Sequence, residues 1–122
     1  MFSRIDHVAL HVSDLGKSVD FYTNNFGFKQ YFDYITKSGI RIVYLRLNDT
    51  VLELLDNGTR KIDDMHLALH ATDFERAIEH MQQHNVPAHQ APHPTPARES
   101  GEENWLRATF IGPDNEVIEI RG

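Results

Sequence analysis

The chain contains no cysteine. Disulfides and thiolate ligands are therefore excluded, which fits a reducing compartment. Long apolar runs are missing as well. The opening MFSRIDHVALHV turns polar at Arg4, Asp6 and His7, so it lacks the apolar stretch of a secretory signal, and no segment approaches the length of a membrane span. A cytoplasmic location is the expectation. Clustered basic charge is also lacking: 12 Lys and Arg stand against 18 Asp and Glu, for a net charge of −6, and the bases are scattered. Nucleic acid and anionic membrane are not expected partners.

What is present is an ordinary globular composition, 40% hydrophobic and 25% charged, over 122 residues. That length suits one domain, 1–122, able to bury a real core. Its most informative property is internal repetition, which constrains architecture more than local propensity does. MHLALHATDFERAIEHM (65–81) lies over DHVALHVSDLGKSVDFY (6–22) at a displacement of 59 positions, with His66 on His7, His70 on His11 and Asp73 on Asp14. RATFIGPDNEVIEIR (107–121) lies over RIVYLRLNDTVLELL (41–55) at a displacement of 66, with Glu119 on Glu53. The second half thus carries seven more residues between its matched blocks.

Each half reads in the same order. HVALH and HLALH are strand-like and end at Ser13-Asp14 and Thr72-Asp73, which are good helix N-cap residues. Thr72 and Glu75 have the spacing of a capping box. Leu15, Val19, Tyr22 and Phe26 recur at helical spacing, as do Phe74, Ile78 and Met81 with Ala77, so each helix has one apolar stripe to bury. Gly27 is a stop for the first helix. Strand-like runs follow: FKQYFDYI, IRIVYLRL and TVLELL, then VPAH, WLRATFI and EVIEI, divided by turn residues at 37–39, 48–49 and 112–115. The order is β-α-β-β-β twice, an α+β arrangement with module 1 at about 1–58 and module 2 at about 59–122. PAHQAPHPTPARESGEEN (87–104), with four prolines, is expected to be a loop, either an inert insertion or a cover over a site.

Two histidines four apart in HVALH would share one face of a helix, as in a zinc protease. No Glu follows the first, and Val8 and Val12 favour a strand instead. In a strand, side chains alternate. Val8, Leu10 and Val12 then face the helix, while His7, Ala9 and His11 face away; Leu67, Leu69 and Ala71 against His66, Ala68 and His70 repeat this. Within TVLELL and EVIEI, Glu53 and Glu119 fall on the same outward faces. A carboxylate inside an apolar run needs a partner or a metal. One such His or Glu is commonplace, but four at equivalent places in two repeats point to ligation by His7, Glu53, His66 and Glu119. Two imidazoles and two carboxylates suit Zn²⁺, Ni²⁺, Co²⁺, Fe²⁺ or Mn²⁺ and leave positions open for substrate. His11 and His70 read as nearby substrate contacts or structural residues. His80, His84, His89 and His93, at a helix end and in the proline-rich stretch, read as solvated surface.

These motifs carry a resemblance. DHVALHVSDLGKSVDFYTNNFGF, VLELL, MHLALHATDFERAI and GPDNEVIEI together span nearly the whole chain, which resembles the vicinal oxygen chelate superfamily. That group includes glyoxalase I (lactoylglutathione lyase), fosfomycin-resistance proteins, bleomycin-binding proteins, methylmalonyl-CoA epimerase and extradiol dioxygenases. The resemblance implies two βαβββ modules forming a curved mixed sheet around a metal cleft, commonly within a homodimer. Glyoxalase I uses two His and two Glu, so the acid at Glu53 favours that branch; fosfomycin-resistance enzymes and dioxygenases use two His and one Glu, and bleomycin-type binders lack the set.

The implied activity is a metal-dependent lyase or isomerase, in which the metal stabilises an enediolate and Glu119 moves the proton, with Glu53 as its near-symmetric partner. The substrate is a small oxygenated molecule, such as a glutathione hemithioacetal. Asn57 matches a glutathione-contacting Asn of glyoxalase I, whereas His11 stands where that family has an Arg. Arg121, Arg107, Arg98 or Lys61 are the cations able to replace it. Arg121, with Asn57, His11 and His70, completes the expected substrate contacts. ARESGEENW loosely resembles a loop of fosfomycin-resistance proteins, which makes a thiol transferase or hydrolase the alternative enzyme; a non-catalytic drug- or metabolite-binding protein is the alternative outside enzymes.

Overall fold

The computed structural model describes residues 6–56, 65–98 and 100–122. The chain comprises two compact units, Met1–Ile62 and Asp63–Gly122. In the first, β1 (Val8–Val12) leads into α1 (Leu15–Phe26), followed by β2 (Lys29–Ile35), β3 (Arg41–Leu47) and β4 (Thr50–Asp56). In the second, β5 (His66–His70), α2 (Phe74–Gln83), β6 (Ala88–Pro94), β7 (Leu106–Ile111) and β8 (Val117–Arg121) repeat that order. Each forms a four-stranded mixed sheet, ordered β1-β4-β3-β2 and β5-β8-β7-β6. The repeated βαβββ plan is therefore present, with one sheet per module. No helix among the described residues is long and apolar enough to cross a membrane.

The parallel pairs β1–β4 and β5–β8 set the chemistry of each sheet. Ala9 pairs with Glu53 in the first and Ala68 with Glu119 in the second. A parallel strand needs a crossover, and the helix that supplies it covers one face. Leu10, Val12, Leu52 and Leu54 are buried with Leu15 and Tyr22 of α1, and α1 packs on β4 and β3. Ile118, Ile120, Phe74, Ile78 and Met81 form the matching core of the second unit, where α2 packs on β8. The opposite face of each sheet is left for the imidazoles and carboxylates.

Both helices begin at aspartate rather than at the hydroxyl residue before it. Asp14 and Asp73 have extended backbones, and their side chains accept from the N–H groups of Lys17 and Arg76. The capping box expected from Thr72 and Glu75 is thus not formed: with Asp73 as cap, the third helical position is Arg76, which cannot return an acceptor. Gly27 ends α1 at φ 75, a conformation that suits glycine, and its N–H reaches Tyr22 O. Asn48 (φ 49) and Asn115 (φ 65) take the same left-handed region in the turns before β4 and β8.

The expected loop at 87–104 is corrected. Residues Ala88–Pro94 are a strand, β6, paired only with β7. Proline lacks a ladder donor and is tolerated at an edge or a bulge. Pro92 and Pro94 have both: β6 is the edge, and its register slips between Ala88 and Gln90 and between Gln90 and His93. The irregular connection is shortened to 95–105.

Candidate functional site

In the first unit the sheet's open face brings His7 and Glu53 together. His7 Nε2 lies 2.7 Å from Glu53 Oε2, and the Glu53 side chain is only 11% exposed. His7 Nδ1 lies 3.0 Å from Asp6 Oδ2. Carboxylates thus flank both ring nitrogens, and Asp6 orients the ring, as partners of metal-bound histidines do. One imidazole and one carboxylate in contact are donors of the type a divalent metal takes.

Tyr44 completes this corner and was not singled out in the sequence. It pairs with Glu53 across β3 and β4, and its ring stands edge-on to His7 at 5.8 Å. Burial, then the neighbouring Glu53 carboxylate, raises the Tyr44 hydroxyl pKa above the ordinary phenol value, so it stays a neutral donor. Phe32 and Tyr31 pack against Tyr44 at 6.1 Å each, and Arg46 lies 4.3 Å over the Tyr31 ring. Tyr31, Phe32 and Tyr34 are exposed along β2, giving this face an aromatic rim. His11 is exposed and pairs with Leu55, two residue pairs beyond Ala9–Glu53. Asn57 and Lys61 lie outside the described residues.

In the second unit, His66 and Glu119 line one pocket of about 410 Å³ on the open face, with His89, Gln90, Arg107 and Thr109. Glu119 is 16% exposed; its Oε2 is 3.6 Å from Arg107 Nη1 and its Oε1 is 3.8 Å from Arg121 Nε. The module-two pair thus has arginines beside the carboxylate where module one has Tyr44. Among the described residues, no three or more His, Asp or Glu side chains are gathered so as to hold a metal ion.

His70 stacks on Trp105, with ring centroids 4.9 Å apart, and the Arg121 guanidinium lies 5.9 Å from the same ring. Arg121 is held from below by Glu102, a carboxylate only 2% exposed, which accepts from the Arg98 backbone and side chain and lies 3.5 Å from Arg121 Nη2. The stretch ARESGEENW therefore anchors the 95–105 connection to β8. The Arg98 hydrogen bonds hold the Glu102 pKa down at about 2, against the raising effect of burial. A depressed carboxylate pKa stabilises the fold above its unfolded value of about 4.5 and loses that contribution as pH falls toward about 2. In urea titrations at decreasing pH, Glu102→Gln should lower the midpoint most above pH 5 and converge on wild type near pH 2; parallel curves would contradict this anchor.

Of the four expected surface histidines, His80 and His84 face each other at a ring separation of 4.0 Å near the end of α2. His89 is exposed, as expected, and His93 half-buried; their rings bond Thr109 Oγ1 at 3.1 Å and Arg107 Nε at 2.9 Å. Strand β6 carries them to β7, which the loop assignment could not show.

The profile of the Glyoxalase/Bleomycin resistance protein/Dioxygenase superfamily matches residues 4–120, and the chain belongs to that family. Among solved structures it is similar to TnmS3, an antibiotic-binding protein from Streptomyces sp. CB03234, at 27% identity and TM-score 0.79, covering 98% of this chain and 94% of that one. It is also similar to the trypanothione-dependent glyoxalase I of Leishmania major, at 28% identity and TM-score 0.73, covering 98% of this chain and 86% of that one. A glyoxalase/bleomycin resistance protein of Streptomyces sp. CB03234 shows 27% identity and TM-score 0.71, covering 93% and 96%. No curated protein matches the sequence significantly.

Proposed function

We propose that the chain is a metal-dependent lyase or isomerase of the glyoxalase I type, acting on a small oxygenated substrate, with a glutathione hemithioacetal as first candidate. The observation that carries this reading is the Asp6–His7–Glu53 arrangement, in which two carboxylates flank one imidazole at 3.0 and 2.7 Å. His66 and Glu119 occupy the corresponding register in the second sheet, since Ala68 pairs with Glu119 as Ala9 does with Glu53. His7, Glu53, His66 and Glu119 are the residues that would hold the ion. A bound divalent cation supplies Lewis-acid polarisation of neighbouring substrate oxygens.

The chain's own residues then have separable tasks. Asp6 orients His7. Tyr44, kept neutral, can donate a hydrogen bond toward Glu53. Glu119 is the base that takes and returns the substrate's proton; its contacts to Arg107 and Arg121, at 3.6 and 3.8 Å, are long enough to leave its oxygens available. A positioned base of this kind gives about 10² to 10⁴ in rate.

Methylglyoxal with glutathione should be turned over, with activity lost in EDTA and restored by Ni²⁺ or Zn²⁺. Absence of turnover with every divalent ion tested would remove this reading. A second reading, ligand sequestration without chemistry, is favoured by the aromatic rim of Tyr31, Phe32, Tyr34 and Tyr44 and by the likeness to antibiotic-binding TnmS3. Saturable binding of an aromatic drug, unchanged by EDTA and without product, would establish it.

A further inference from the structure

Four cations were available to replace the arginine that His11 displaces, and the structure separates them. Arg98 is committed to Glu102 through three hydrogen bonds. Arg121, only 13% exposed, is braced by the same buried carboxylate. Lys61 lies outside the described residues. Arg107 differs: it lines the module-two pocket beside His66 and Glu119, and its side chain is 39% exposed.

Its orientation is fixed from behind. His93 Nδ1 lies 2.8 Å from Ala91 O, a group that only accepts, so Nδ1 carries the hydrogen. Nε2 is then the acceptor for Arg107 Nε at 2.9 Å. With Nε occupied, the Nη groups form the end of the guanidinium beside Glu119. The single ion pair there among the described residues, Nη1 to Glu119 Oε2 at 3.6 Å, exceeds the roughly 2.7–2.9 Å of a charge-assisted hydrogen bond. Arg107 is thus charged, oriented and only loosely neutralised.

We propose that Arg107 is the anion-recognition residue of this pocket, and that the ligand is a small oxygenated molecule bearing a carboxylate. A planar carboxylate matches the guanidinium fork. A dianionic phosphate is disfavoured because Glu119 shares the pocket and Arg107 is the one Lys or Arg lining it among the described residues. The volume, about 410 Å³, lies at the small end of ligand sites. The assignment rests on the pocket being the substrate site of the proposed function, yet its test is independent of turnover and of metal.

Calorimetry on the full chain, in EDTA and again with Zn²⁺, would compare 2-hydroxybutyrate, its neutral amide and inorganic phosphate. The acid should bind at least about tenfold more tightly than the amide in both conditions, the size expected of a hydrogen bond to a charged group. Arg107→Met should remove that discrimination, Arg107→Lys should restore part of it, and Arg76→Met, on the surface of α2, should leave it intact. Matching thermal midpoints would show that the Arg107 variants fold. Equal affinity for acid and amide, preference for phosphate, binding of none of the three, or an unaltered acid affinity in Arg107→Met overturns the proposal. Acid discrimination in a protein that binds no metal would keep the proposal and remove the metal-enzyme reading, so the two failures are distinguishable.

Discussion

Glu53→Gln is expected to lower divalent-metal affinity by more than about 100-fold, the upper range for removing a mere supporting partner of a metal ligand. The change is nearly isosteric; it removes the charge and replaces one acceptor oxygen with a donor nitrogen. Glu53 sits in a nearly closed position, with side chain 11% exposed, between Leu52 and Leu54, so a neutral amide costs less to bury than a carboxylate does. Stability should therefore be kept or raised while metal binding is lost. A role in structure alone predicts the reverse: His7 would lose its anionic partner, stability would fall, and metal content would not respond. Competition against a chelator, read beside urea midpoints of both proteins, separates the two. Unchanged affinity would remove Glu53 from the proposed ligand set.

The architecture was legible because the chain states it twice. Alternation in HVALH and HLALH, aspartate at each helix start and apolar stripes at helical spacing agree in both halves, so each supports the other. The imidazole and carboxylate positions followed from the same alternation, and His7–Glu53 contact at 2.7 Å is its direct product.

What was hidden depends on register and on side chains that carry no motif. A gapless overlay of 41–55 on 107–121 places Phe110 at the position of Tyr44. The sheets equate Tyr44 with Thr109 instead: Tyr44 pairs with Glu53 and Thr109 with Glu119. The turns differ by an odd number of residues, and a one-residue slip turns every side chain to the other face. Phe110 accordingly joins the core, 3% exposed, while Thr109 faces the pocket. Strand β6 was hidden by Pro92 and Pro94, which oppose a central strand but not a bulged edge. Glu102, in a polar stretch, gave no sign that it would be buried beneath Arg121.

Truncation of Leu52 and of its repeat counterpart Ile118 tests whether each module rests on its own core. Both are fully buried and lie on the central strand that joins the parallel and antiparallel parts of its sheet, β4 or β8. Leu52 pairs with Val8 on one side and Leu45 on the other; Ile118 pairs with Leu67 and Phe110. These neighbours are held in register by ladders on both sides, so the site collapses little when methyl groups are removed. A cost toward the upper part of the usual range of about 2–5 kcal/mol follows for each alanine variant. Against a typical total of about 5–15 kcal/mol, that is a large share of the stability. Ile35→Ala removes a similar side chain from a position 67% exposed on the edge strand β2, and it should change stability by less than about 0.5 kcal/mol. Urea unfolding of the three variants decides the matter. A loss at Ile35 equal to that at Leu52 would mean that the exposed rim of β2 is covered in solution, and that the aromatic face beside His7 and Glu53 is part of an interface rather than an open surface.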